Sequence, residues 1–139
     1  MKKILIDSDV CLDSITGRYP FSVDADKILQ LAEERAVEAY VTAESFSNMY
    51  YILRKLSTAA KAIDTLKNLR LLVQIAGSDQ EVIDNALQSG WKDFEDAIQY
   101  HGAVKQSCDA IVTRKTAHFK QGKIPVYQPT EFLGLVDDR

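Results

Sequence analysis

Apolar positions along this chain follow two rhythms. Short unbroken runs occur at Ile4-Leu5-Ile6, Ala39-Tyr40-Val41, Leu71 to Ile75, Ala110-Ile111-Val112-Thr113 and Pro125-Val126-Tyr127. Runs this short, without polar alternation, read as strands buried on both faces. Between them apolar residues recur at three- and four-residue intervals, the period of an amphipathic helix. The stretch from Asp7 through Gly17 and Pro20 reads as a loop leading to Asp24-Ala25-Asp26, which can cap a helix carrying Ile28, Leu29, Leu31 and Ala32. Residues 43–56 place Phe46, Met49, Tyr50, Ile52 and Leu53 on one broad face, and residues 58–69 do the same with Ala62, Ile63, Leu66 and Leu69. A helix follows Gly77-Ser78-Asp79 and runs to about Ser89, where Gly90 stops it. Asp93-Phe94-Glu95-Asp96 opens another, to about Gln106.

Strands separated by helices require crossover connections, and these give a parallel sheet covered on both sides. The expected fold is therefore α/β: a three-layer α/β/α sandwich around a central, mostly parallel five-stranded sheet. With 139 residues, 46% of them hydrophobic, the chain has material for one core, so residues 1–139 form one domain. There are no internal repeats, linkers or low-complexity segments.

Composition narrows the function. Seventeen basic against twenty acidic residues give a net charge of −3, which excludes a protein that coats nucleic acid by bulk charge but not a nuclease, whose metal site concentrates acid. Cys11 and Cys108 lack the spacing of a zinc site or a disulfide framework, which fits a reducing cytoplasm. No apolar run approaches the roughly 20 residues needed to span a bilayer, and the run after Lys2-Lys3 is too short for a signal peptide. A soluble cytoplasmic protein is expected, with no membrane partner.

Candidate chemistry gathers at strand ends. In parallel α/β sheets ligands bind outside the C-terminal ends of the strands. There the topology would bring Asp7 and Asp9 after the first strand, Glu44 after the second and the residues after Thr113. Two adjacent carboxylates exceed what a helix cap needs and favour a cation. Asp93 and Asp96 lie one turn apart, so they can converge while Glu95 faces elsewhere; Asp93 also suits a cap, which makes Asp96 the stronger ligand. Arg54, Lys55, Lys61, Arg114, Lys115, Lys120 and Lys123 are the basic residues available to a phosphate backbone.

Ile-Asp-Ser-Asp-Val after the first strand, Asp93-Phe94-Glu95-Asp96-Ala97-Ile98-Gln99, and Ile111-Val112-Thr113-Arg114 leading to His118-Phe119 resemble the PIN domain, the nuclease domain of VapC-type toxins. The resemblance runs in order across nearly the whole chain. It implies a metal-dependent endoribonuclease that binds Mg²⁺ or Mn²⁺ through an acidic cluster, is commonly dimeric and is often inhibited by a small antitoxin. It puts Asp7 at the family's first acid and Asp96 at its late-helix acid, both catalytic, with Asp93 an acidic neighbour. Asp9 stands where the family usually has Asn. At the second acid the family pattern aligns with Asn48, while Glu44, four residues earlier on the same helical face, could reach the same site. The chain departs from the family after Arg114: Lys115 and His118 stand where relatives carry Asn or Asp and Asp, so a fourth carboxylate is absent and Asp9 is a possible replacement for its charge.

The expected metal ligands are thus Asp7, Asp9, Glu44, Asp93 and Asp96, with Asn48, Thr113, Arg114, Lys115 and His118 around them. His118 is a ligand better suited to Mn²⁺, a phosphate contact or a surface residue. Single-stranded RNA is the expected substrate, since Tyr19, Phe21 or Tyr50 can stack exposed bases; Phe46, Tyr51 and Phe94 are assigned to the core and Trp91 to packing. A helical dimer surface is expected within residues 46–72. Two other classes stay open. One is a PIN-like module that binds RNA or protein without turnover. The other is a haloacid dehalogenase-like phosphatase with Asp7 as nucleophile, although no Gly-Asp-x-x-x-Asp stretch follows Thr113.

Overall fold

The computed structural model describes residues 2–137. Five strands, β1 (Lys2–Ile6), β2 (Val37–Thr42), β3 (Gln74–Ala76), β4 (Ala110–Val112) and β5 (Val126–Tyr127), form one sheet in the order β3-β2-β1-β4-β5. All four strand pairs are parallel, with Ile4 opposite both Ala39 and Ala110 at the centre.

Alternation along the strands sorts their side chains to two faces. Ile4, Ile6, Val37, Ala39, Val41, Ala110 and Val112 join one core, with Val10, Ile28, Met49, Leu66 and Phe132. Leu5, Tyr40 and Ile111 join the other, with Tyr100, Ala103 and Phe119. The first face is covered by α1 (Ser8–Thr16), α2 (Phe21–Glu33), α3 (Ala43–Leu56), α4 (Ala59–Leu72) and α7 (Pro129–Asp137). The second is covered by α6 (Phe94–Lys105) and the 3₁₀ turn Thr116–Phe119, while α5 (Gln80–Gln88) packs on α6 through Val82, Ala86, Ala97 and Ile98.

The two covers follow from handedness. The chain moves outward from β1 through β2 to β3, then returns across the sheet to β4 and on to β5. With right-handed crossovers, reversing direction moves the connecting helices to the opposite face. The reversal opens a crevice at the C-terminal ends of β1 and β4, which is where such sheets bind ligands.

Several local expectations are corrected. Residues 8–16 are helix rather than loop: Val10 and Cys11 are fully buried, and Gly17 ends the helix with φ 64°, its N–H bonded to Ser14. Its apolar stripe is too narrow to stand out as a period. Helix α2 begins at Phe21, so Asp24 and Asp26 lie inside it and cap nothing. Helix α4 continues to Leu72 and displaces β3 to Gln74–Ala76. Tyr51 and Phe94, expected in the core, are 54% and 46% exposed, whereas Phe46 packs against the first core and Trp91 stacks on Tyr100 at 4.9 Å.

Helix α7 was not expected at all. Pro129 opens it, a position where the missing N–H costs nothing. Phe132 fixes it to the sheet, fully buried beside Tyr127. Phe132→Ala should therefore lower stability by about 3–4 kcal/mol, read by urea denaturation; a loss under about 1 kcal/mol would show that α7 does not close this core.

Candidate functional site

Asp7 follows β1 directly and is fully buried, with its N–H donated to the Val112 carbonyl of β4 at 3.0 Å. It occupies the N-cap position of α1, yet its side chain caps nothing. Its carboxylate turns instead toward the crevice, where it accepts the Thr113 hydroxyl at 2.8 Å and Gln99 Nε2 at 3.3 Å. The local chain does not need this acid for helix capping, and that frees it for a ligand.

Asp9, in the first turn of α1, reaches the same point. Its Oδ2 accepts the Arg114 N–H at 3.2 Å and lies 3.5 Å from the Thr113 hydroxyl. That hydroxyl has a single proton, and the shorter contact assigns it to Asp7. Asp9 Oδ1 is buried and, among the described residues, has no partner; the same holds for Gln99 Oε1. Burial, then the charge of Asp7, pushes the Asp9 carboxyl up to about 6, against the Arg114 N–H and the charges of Lys115 and Arg114.

The third acid comes from α6. Asp93 accepts the Asp96 N–H at 2.9 Å, so Asp93 is the helix cap, and Asp96 is left free to point inward, 4% exposed. Its Oδ2 lies 3.0 Å from His118 Nδ1. Burial and the Asp93 charge push the Asp96 carboxyl above its usual range, while the hydrogen bond from His118 and the Lys115 charge oppose this. Lys115 Nζ is 3.9 Å from Asp7 Oδ2.

The remaining expected residues lie differently. Glu44 accepts the Ser78 hydroxyl at 2.9 Å, and its charge is not among the causes that shift Asp9 or Asp96. Asn48 donates to Glu95 Oε1 at 2.5 Å. Glu95 is exposed, and partial burial and the charges of Asp93 and Asp96 raise its carboxyl, with Asp7 adding to the effect. Arg114 is engaged elsewhere, in a two-pronged pair with Asp13 at 2.6 and 3.1 Å, and its guanidinium sits 4.1 Å from the Phe21 ring centroid. A cleft of about 350 Å³ beside it is lined by Phe21, Asp24, Arg114 and Gln128.

Sequence reasoning missed Asp13 and Gln99. Asp13 is one turn beyond Asp9, a spacing that carries meaning only once residues 8–16 are known to be helical. Gln99 follows Asp96 by three positions on α6, so the face of Asp96 was its signal.

Does this site suit a cation? Among the described residues, no three His, Cys, Asp or Glu side chains converge into a ready metal cage. The donor set nevertheless fits a hard divalent ion: carboxylate oxygens, a hydroxyl and two buried acceptors without donors. Asp7 and Asp9 would hold such an ion, with Asp96 joining when released from His118. The two cysteines are buried and free, and burial pushes the Cys108 thiol up to about 12, so neither is a competing nucleophile.

A parallel sheet with buried acids at its switch point defines an α/β domain whose site is made of carboxylates, without a glycine-rich phosphate loop. The chain belongs to the PIN domain family, whose model matches residues 3–117. It is 26% identical over 139 residues to Ribonuclease VapC1 of Aquifex aeolicus (strain VF5), covering 94% of this chain and 93% of that protein. In fold it is similar to DNA-bound VapBC from Salmonella typhimurium, with a TM-score of 0.71 at 12% identity over 93% of this chain and 99% of that one. It is also similar to a toxin-antitoxin complex from Klebsiella pneumoniae, with a TM-score of 0.68 at 20% identity over 91% of this chain and 97% of that one.

The raised Asp9 carboxyl has a consequence for stability. An acid whose folded pKa of about 6 exceeds its unfolded value near 3.8 binds more protons in the folded state, so its ionisation costs stability as pH rises through that window. Asp9→Asn removes this cost. The variant should match the parent at pH 4 and exceed it by about 1–2 kcal/mol at pH 7 without divalent ions, read by urea denaturation; a variant less stable at pH 7 would mean that the Asp9 charge is already compensated.

Proposed function

We propose that this chain is a metal-dependent endoribonuclease of the VapC toxin type, which hydrolyses phosphodiester bonds of single-stranded RNA. One observation carries the reading: the carboxylates of Asp7, fully buried, and Asp9, half-buried, meet at the Thr113 hydroxyl at the switch point of the sheet, and buried Asp96 approaches from α6. The PIN family match and the ribonuclease relative support the same class of reaction over a phosphatase.

Mg²⁺ or Mn²⁺ bound by Asp7, Asp9 and Asp96 would supply the activation of water and the charge that stabilises the leaving oxygen. The protein supplies position. Thr113 and Gln99 hold the Asp7 carboxylate in one orientation, and the Arg114 N–H does the same for Asp9. Lys115, with its side chain 46% exposed, is placed to meet the phosphate that enters the crevice and offset its developing negative charge. Phe21, held against Arg114 and 43% exposed, offers an aromatic surface for stacking an unpaired base. Asp93 and Asn48 act at a distance, through the α6 cap and the Glu95 contact, and Glu44 is held by Ser78.

Among the described residues no helix is long and apolar enough to cross a membrane, in keeping with a cytoplasmic enzyme. A small antitoxin is the proposed partner, by likeness to the toxin-antitoxin complex. The exposed Tyr51, Ile52, Leu56 and Ile63 of α3 and α4 supply an apolar surface for a homodimer. A second reading has its own support: His118 and Lys115 pair with Asp96 and Asp7, which favours a site of reduced turnover that still binds RNA.

Purified protein should cleave single-stranded RNA with Mn²⁺ or Mg²⁺ and stop on chelation. Asp7→Asn and Asp96→Asn should each cost about 100-fold or more in rate while the fold is retained by circular dichroism. RNA binding without metal-dependent cleavage would select the second reading, and cleavage indifferent to both substitutions would end the first.

A further inference from the structure

The loop after β4 places a positive charge inside the acid cluster. Lys115 is anchored at its backbone, where its N–H donates to the Thr113 hydroxyl at 3.0 Å, the same hydroxyl that donates to Asp7. From that anchor Nζ reaches to 3.9 Å from Asp7 Oδ2, across a carboxylate with a side chain only 1% exposed. The same ammonium acts on Asp9, Asp96 and Glu95, lowering all three against their burial. Arg114, the neighbouring cation, is committed to Asp13. Among the described residues, Lys115 is therefore the one Lys or Arg in ion-pair reach of Asp7.

Its side chain is half exposed and carries no other ion pair among the described residues, so nothing but the acids holds it in the crevice. A long flexible stem with a compact charge suits such a movable contact. We propose that Lys115 is a tethered counter-cation of the acidic pocket, competing with a divalent ion for Asp7 and leaving the carboxylate when the ion binds. This rests on the metal-site reading above and adds to it a reason why the pocket can hold several buried acids without an ion. It also gives Lys115 two positions: on Asp7 in the empty pocket and toward the entering phosphate when the pocket is filled.

The competition predicts opposite effects on binding and cleavage. Removing the charge frees Asp7 for the ion but takes a cation from the substrate. Lys115→Gln should bind Mn²⁺ about 5- to 10-fold more tightly than the parent, the scale of one half-exposed charge pair. Lys115→Arg, which keeps the charge, should stay within about twofold of the parent. Affinity is read directly from free Mn²⁺ by electron paramagnetic resonance, with Mn²⁺ alone as the probe. At saturating Mn²⁺, cleavage of single-stranded RNA by Lys115→Gln should nevertheless fall. A merely structural lysine would weaken both together.

Equal Mn²⁺ affinity in the parent and Lys115→Gln, or weaker affinity in the variant, overturns the proposal and leaves the nuclease reading standing. Absence of Mn²⁺ binding by every protein tested overturns both. Tighter Mn²⁺ binding by Lys115→Gln with no cleavage by any of the proteins supports the counter-cation and removes only the nuclease.

Discussion

Everything at this site depends on one imbalance: two carboxylates, Asp7 and Asp9, meet at the end of β1 beside one Thr113 hydroxyl, whose single proton goes to Asp7. Like charges this close, partly removed from water, disfavour their own ionised forms. Burial and the Asp7 charge raise the Asp9 carboxyl, and its Oδ1 is left without a partner among the described residues. A fold keeps such an arrangement only when something supplies positive charge. In this chain the Lys115 ammonium supplies it at Asp7, while the Arg114 N–H donates to Asp9 and His118 Nδ1 lies in hydrogen-bond contact with Asp96.

The sheet topology brings the opposed groups together. Asp7 ends β1, Thr113 ends β4 and the two strands are adjacent, so residues more than a hundred positions apart come within hydrogen-bond distance. Because the chain reverses direction there, α1 lies on one side of the crevice and α6 on the other, and each brings an acid to it. The pair of Arg114 with Asp13 then fastens the loop after β4 to α1. Arg114 thereby has a structural task, and Lys115 next to it is left as the movable charge.

Much of this was legible in the chain. Four apolar runs became β1, β2, β4 and β5, and burial on both faces explains the unbroken apolar character of the central ones, whereas the run from Leu71 to Ile75 begins in α4 and only its end enters β3. The acids stood out because charge directly after a buried strand has no structural use. Other parts were hidden for definite reasons. Helix α1 buries little more than Val10, Cys11 and Asp13, too few positions to show a period, and with it hidden the partnership of Asp13 with Arg114 could not be inferred. Tyr51 and Phe94 have the residue type of a core but occupy outer helical faces, where type alone misleads. Glu44 had the expected position at the end of β2, yet Ser78 holds it, which shows that proximity to a strand end does not by itself decide where a side chain turns. His118 and Lys115, which stood out only as departures from the family pattern, proved to be bonded to its acids.

The central claim is that Asp7 and Asp9, with Asp96, form a divalent cation site. Crystals of the protein soaked in MnCl₂, with diffraction data collected at the manganese absorption edge, test it most directly. An anomalous peak is expected within coordinating distance of the Asp7 and Asp9 carboxylates, with Asp96 turned from His118 toward it. Manganese absent from that crevice, or bound only at surface acids such as Asp79 and Glu81, would contradict it.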